Sequence, residues 1–405
     1  VIQAGAQTTR DLRRRSRASL LSRIYLGQAV SRPELARSAG MSSAAVSNVV
    51  SDLIADGLVA EAGSVDSNGG RPRTMLAAKP GFGYAVGVDI GETHIHVVLF
   101  DWTLLSTLAT STHEIRVGRL DPDVVVRLVV SGVRSLLDST GVAPERLLGI
   151  GIGVPGAVQE GERGVVHAPT LGWSGVPLGD ALRAELNAPI HIDNCARTLG
   201  QAEAWRGAGR EARRAVVALW GVGVGAAIAE GSTLVESGTS STSEWGHAVI
   251  EARGRACRCG SHGCLEAYVG ATAILDAYLE HPAGKPFLHD GTEAKMAELA
   301  ARAEAGDDEA ATATFAEAAE YLGIGVGNLI NMLNPDQVIL AGWVGEQLGP
   351  QLMPAIRAAA QRHSLPYLFD QTRISVGELG PGAVALGAAT LPVARLLAAG
   401  GQITA

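Results

Sequence analysis

Three of the four cysteines fall within eight residues, Cys257, Cys259 and Cys264, in the string CRCGSHGCLE. A Cys-x-Cys pair is badly placed to bridge itself, and clustered thiolates are the ligands that zinc prefers among common ions. A structural zinc takes four ligands, so a histidine is expected beside the sulfurs. His262 lies inside the loop and His247 lies ten residues before Cys257. A ligand trapped between Cys259 and Cys264 would strain a small loop, which favours His247. The expected cofactor is structural Zn2+ on His247, Cys257, Cys259 and Cys264.

A different set of residues suits a polyanion. The chain has a formal net charge of −8, yet residues 1–79 hold eleven basic against six acidic residues, a net +5 that leaves −13 for the rest. Charges of opposite sign on separate segments imply separate partners, nucleic acid for the first and a small ligand or metal for the second. Within the basic segment, Arg32, Ser42, Ser43, Ser47, Asn48, Arg71 and Arg73 are the candidate contacts to double-stranded operator DNA. Serine and asparagine near the start of a helix can meet base edges, and arginine suits phosphates or a minor groove.

The elements that must carry these residues follow from periodicity. Arg17 to Gly27 places Leu20, Leu21, Ile24 and Tyr25 at helical spacing. Ser31 and Pro33 start a second helix that Gly40 ends, and Ser42 caps a third, SAAVSNVVSDLIADG, whose apolar face is Val46, Val49, Val50, Leu53 and Ile54. Beyond it, LVAEAG and TMLAA read as short strands around the loop SVDSNGGRPR. This order predicts a winged helix-turn-helix over residues 1–79.

From Lys79 onward, strands, Gly-rich turns and helices alternate, beginning near Tyr84 and again near Ala215. An α/β domain over residues 80–405 is expected, with a mixed sheet in each of two similar lobes and a cleft between them. FAEAAEYLGIGVGNLINMLN reads as a long helix, QVILAG as a strand and GPGAVALGAATLPVARLL as a closing helix. No apolar run approaches the ~20 uninterrupted residues of a membrane span. The Arg-rich start lacks the apolar block of a signal peptide. The expectation is a cytoplasmic protein with no membrane partner.

Several strings together resemble the ROK family of repressors and sugar kinases: VDIGETH at Val88 to His94, GIGVPGAV at Gly151 to Val158, APTLGW at Ala168 to Trp173, GVGVGAAI at Gly221 to Ile228, EWGH at Glu244 to His247, and the cysteine string itself. The resemblance implies a bilobal actin-like fold of the sugar kinase/Hsp70 type behind the winged helix, assembled as a homo-dimer or homo-tetramer. It also implies a sugar or sugar-derivative effector held by Asn194, Glu244, His247 and Glu266. One imidazole nitrogen of His247 can face the metal and the other a sugar hydroxyl. Each carboxylate offers two acceptors for adjacent hydroxyls. Thr170 stands where the family often has an asparagine near the sugar.

The same resemblance implies that phosphoryl transfer is lost. A sugar kinase needs a base for the hydroxyl proton, a glycine loop for phosphates and room for adenosine. The family's catalytic aspartate corresponds to Cys195. Asp193 is two strand positions away, about 6.5 Å along an extended chain. The loop usually reading Asp-x-Gly-Gly-Thr here has Glu92, and the turn AGWVG carries Trp343. The expected function is a sugar-responsive transcriptional regulator of repressor type with no catalytic residue. The alternative is an active sugar kinase with an appended DNA-binding domain.

Overall fold

A computed structural model describes residues 9–403 except 28, 68–69, 116–117, 160, 162 and 237–243. The chain opens with α1 (Thr9–Gly27), β1 (Val30–Ser31), α2 (Arg32–Ala39), α3 (Ser43–Ala55), β2 (Val59–Ser67) and β3 (Gly70–Ala78). Glu34 reaches back from the first turn of α2 to accept from the Ser31 backbone N–H at 2.9 Å and from its hydroxyl at 2.7 Å. Gly40, at φ 63°, ends that helix in the left-handed region. The Ser42 hydroxyl accepts from Ala45 N and starts α3.

Two boundaries differ from expectation. Helix α1 begins at Thr9, not Arg17, because Arg13 and Arg17 pair with Asp52 and Asp56 and lay the Arg-rich start along α3. The wing is a hairpin of two nine-residue strands, not short strands around a long loop. Its turn-forming residues are drawn into the ladder, with Ser64 opposite Thr74 and Val65 opposite Arg73, and two register shifts absorb the misfit.

The first lobe contains β4 (Tyr84–Ile90), β5 (His94–Asp101), β6 (Thr107–Glu114), α4 (Pro122–Thr140), β7 (Leu147–Val154), β8 (Ala157–Val158), β9 (Val165–Ala168), β10 (Trp173–Pro177), α5 (Leu178–Glu185), β11 (Ile190–Asn194) and α6 (Cys195–Arg206). The second contains β12 (Arg214–Trp220), β13 (Val224–Glu230), β14 (Thr233–Leu234), α7 (Glu266–Val269), α8 (Ala271–Glu280), α9 (Thr292–Ala305), α10 (Glu309–Leu333), β15 (Gln337–Ala341), α11 (Trp343–Arg362), α12 (Pro366–Gln371) and β16 (Arg373–Val376).

The two large sheets have one topology. In the order β11-β7-β4-β5-β6, the first three strands run parallel and the remaining pairings are antiparallel. The order β16-β15-β12-β13-β14 repeats that pattern strand for strand. This duplication places the ends of β4 and β12 on opposite walls of one cleft.

Helix α13 (Ala383–Ala398) returns to the first lobe. It lies directly on the sheet because glycines meet it: a Cβ on Gly87 or Gly151 would stand 1.8 Å from the carbonyl oxygens of Ala385 and Ala388. The stretch Gly380–Ala398 is long and apolar enough to cross a membrane, but most of it is buried here as a core helix. The same helix shares a core with the N-terminal unit. Leu20, Leu21, Ile24 and Tyr25 of α1 pack in one cluster with Trp102, Trp205, Ala389 and Val393. The Tyr25 hydroxyl donates to the Trp102 carbonyl at 2.8 Å, its ring lies 5.3 and 5.7 Å from the Trp102 and Trp205 rings, and the Arg206 guanidinium sits 4.8 Å above it. The first 79 residues therefore do not hold their core alone.

Candidate functional site

The cleft between the lobes encloses about 600 Å³. On its second-lobe wall, a short turn at Trp245–His247 and the loop before α7 bring the predicted metal ligands together. The ligand atoms of His247, Cys257, Cys259 and Cys264 all lie within 4.8 Å of one another. The Cys259 and Cys264 sulfurs are 3.8 Å apart, and His247 Nδ1 is 3.7 Å from Cys257 Sγ. A tetrahedral zinc with Zn–S of about 2.3 Å needs ligand separations of about 3.8 Å, so the donor set fits such an ion. His262 is exposed and outside the set.

His247 turns its other nitrogen, Nε2, toward the cleft, 4.0 Å from Glu244 Oε2. Burial pushes the Glu244 carboxyl up, His247 pulls it down, and the nearby Glu266 pushes it up again. Glu266 and Asn194 also line the cleft, but their polar atoms are largely engaged within the chain. Glu266 accepts from Val224 N at 2.9 Å and from Arg258 Nε at 2.8 Å. Asn194 caps α6 by accepting from Ala196 N at 2.7 Å and donates to the Gly156 carbonyl at 2.7 Å. The Thr170 hydroxyl lines the cleft and is buried with no hydrogen-bond partner among the described residues.

The remaining cleft features are those expected to disable a kinase. Cys195 opens α6 with its thiol pushed up by burial and by the carboxylates of Asp89 and Glu92. Asp193 is held by Arg197, whose Nε lies 3.0 Å from both of its carboxylate oxygens. Trp343 is the first residue of α11, not part of a turn, with its indole against Gly221.

Sequence reasoning missed Arg258, read only as spacing between two cysteines. Its guanidinium binds both Glu92 oxygens, at 2.5 and 3.0 Å, while its Nε holds Glu266. It also missed that Thr93, from the loop after β4, and His94, the first residue of β5, both reach Glu293 of α9. His94 lies 3.5 Å from Asp89 and from Glu293, and hydrogen bonds to these two carboxylates raise it to about 10 despite burial. The available signal was an acid in the phosphate-type loop and a base in the metal string, which are complementary.

At the N-terminal unit, Ser43 and Asn48 are exposed on α3, Ser47 is half-buried, and the Ser42 hydroxyl is spent on the cap. Arg32 pairs with Glu61 at 3.4 Å, and Arg73 is exposed on β3. The side chain of Arg71 lies outside the described residues.

The sequence profile of the ROK family matches residues 85–395. The chain belongs to the ROK family. A xylose repressor of Caldicellulosiruptor bescii is 28% identical over an alignment of 389 residues that covers 93% of this chain and 95% of that protein. A glucokinase of Halalkalibacterium halodurans is 30% identical over 314 residues, 75% of this chain and 92% of the enzyme. Among solved structures, a ROK family transcriptional regulator described as a homolog of E. coli MLC superposes with a TM-score of 0.77 at 22% identity, covering 96% of this chain and 98% of that one. A ROK glucokinase from Streptomyces griseus, solved with glucose and AMPPNP, gives 0.62 at 24% identity over 76% of this chain and 99% of its own. The fold is thus the bilobal, actin-like ROK fold. The xylose repressor match covers 93% of this chain, whereas the two glucokinase matches cover 75% and 76% of it.

Proposed function

We propose that this ROK protein is a sugar-responsive transcriptional regulator acting as a repressor in the cytoplasm, with residues 1–79 reading operator DNA and residues 80–405 binding the effector and assembling a homo-dimer or homo-tetramer. One observation carries the reading. A winged helix shares a core with the first lobe, and where the family resemblance puts the proton-accepting aspartate the cleft is lined by Cys195, its thiol kept protonated by burial. A thiol that burial and two carboxylates keep neutral is a poor base for a hydroxyl proton. Glu244 and His247 Nε2 are the direct sugar contacts, the second Nδ2 proton of Asn194 is a further donor, and the unpartnered Thr170 hydroxyl supports a polar ligand. Glu266 contributes by holding Val224 and Arg258 in place.

The metal would be Zn2+ on His247, Cys257, Cys259 and Cys264, fixing the His247 ring so that Nε2 faces the sugar. Exposed Ser43, Asn48 and Arg73 contact DNA together with Ser47, Arg32 and Arg71, and Ser42 orients the reading helix. Relatives named as xylose repressors make D-xylose the first effector to test.

The test is release of full-length protein from an operator fragment by a panel of sugars, with light scattering for the assembly state. A sugar that changes operator affinity supports the reading, since a ligand preferring the non-binding conformation must release DNA by the same factor by which DNA weakens ligand binding. The glucokinase relative keeps a second reading in view, an active kinase with a DNA-binding head. ATP-dependent formation of a sugar phosphate by the purified protein would establish it and overturn the first.

A further inference from the structure

The described cleft lining is strongly acidic. Asp89, Glu92, Glu244, Glu266, Glu293 and Glu346 face it, against one arginine, Arg258, and no lysine. His94 adds a cation, but it is held between Asp89 and Glu293. Arg258 is equally committed: Glu92 takes two of its N–H groups and Glu266 a third. The side chains of Glu92 and Glu266 are only 7% and 6% exposed, so this is a built cluster and not a surface pair.

The cluster's position is informative. A Cβ on Gly223 would meet Arg258 at 3.1 Å, Glu92 Oε1 at 3.3 Å and Glu266 Oε2 at 3.5 Å. The hollow over the turn Gly221 to Gly225 is therefore filled by carboxylates of the chain itself. Glycine turns with open backbone N–H groups are where anions settle. Here Glu266 already accepts the Val224 N–H of that turn. An incoming phosphate would find the arginine neutralised, a backbone donor taken and further carboxylates nearby.

We infer that the effector taken by this cleft is an uncharged sugar, and that the Glu92 carboxylate, seated on Arg258 over the Gly221 to Gly225 turn, is a tethered anion that excludes phosphorylated sugars. The inference rests on the sugar-sensing reading above and narrows it to one ligand class. Hydroxyls suit the acidic walls, because carboxylates accept from them without a charge conflict. A phosphate dianion a few ångströms from a carboxylate in a partly buried site is disfavoured by on the order of 100-fold or more.

The experiment uses full-length protein carrying its metal. D-xylose, D-glucose and N-acetylglucosamine are each titrated beside their terminal phosphate esters, with binding read by calorimetry and by thermal shift. The expected result is binding of an uncharged sugar, with its ester at least about 100-fold weaker. In Glu92→Gln, which removes the charge and keeps the shape, and in Glu92→Gly, the ester or inorganic phosphate should gain about 10-fold or more in affinity. Metal content and operator binding of both variants confirm that they fold. An ester that binds the parent as tightly as its sugar, or Glu92 variants with unchanged phosphate affinity, would overturn this inference and leave sugar sensing intact. Binding of no sugar in either form would overturn the sensing reading and this inference together.

Discussion

On the metal side of the cleft, Glu244 and His247 present partly exposed polar atoms, and the thiols of Cys257, Cys259 and Cys264 cluster with the His247 ring. Across the cleft, the loop after β4 and the start of β5 send Glu92, Thr93 and His94 onto partners of the second lobe. On the proposed reading the first region receives the ligand, whereas the second is already occupied by the chain's own side chains. If that reading holds, a duplicated two-lobed fold can give up one half of its ligand site and keep the other, because each wall is built by a different lobe.

The largest effect should come from the metal side. Purified protein should hold about one zinc per chain, and Cys259→Ala should lose it and lower the melting temperature by on the order of 10 °C, as read by metal analysis and thermal denaturation. Because Cys259 is exposed, its truncation removes little packing, so a fall reports the metal. A metal-free parent with the same melting temperature as the variant would remove the contrast between the two sides.

Glu244→Ala should come next, weakening the response to an active sugar by about 10- to 100-fold while the metal stays bound. A variant that answers every effector normally would show that the open carboxylate is not a ligand contact. On the occupied side, His94 offers a pH signature. Its folded value of about 10 lies above its ordinary 6.5, so its contribution to stability is full below pH 6.5 and is lost as pH rises toward 10. His94→Gln should flatten that part of the stability profile, measured by denaturant melts across the range. A profile identical to the parent's would mean that the Asp89 and Glu293 contacts do not hold this wall.

The smallest expected effect is none. Cys195→Asp should yield no sugar phosphate with ATP and magnesium, because Glu92 and Trp343 still line the cleft. The new carboxyl would also stand near Asp89 and Glu92, which disfavour its ionisation. A phosphorylation rate above the parent's would show the second half to be open after all.

The strands at Tyr84–Ile90 and His94–Asp101, the long helix α10 and the clustering of His247 with the three cysteines were legible because each rests on local pattern or local spacing. The wing was underestimated because ladder pairing, a non-local effect, overrode the turn-forming residues between its strands. The pairing of Arg258 with Glu92 was hidden for the same reason. Glu92 lies 166 residues from its partner, and only the closed duplication of the lobes brings them together. Trp343 was read within a turn because Gly342 precedes it, yet that glycine is the N-cap of α11.

The seam around Tyr25 bears on how such regulators can diversify. A reading head bolted on by a bare linker could be exchanged between family members like a cartridge. This one is grafted through Leu21, Tyr25, Trp102, Trp205 and Val393, so a transplanted head would bring a foreign surface against α13. If α3 reads the operator as proposed, a change of operator specificity is easier to reach by rewriting a few of its exposed positions than by recombining whole heads. A chimaera joined near residue 79 would need matching changes in its last helix before it behaved as one protein.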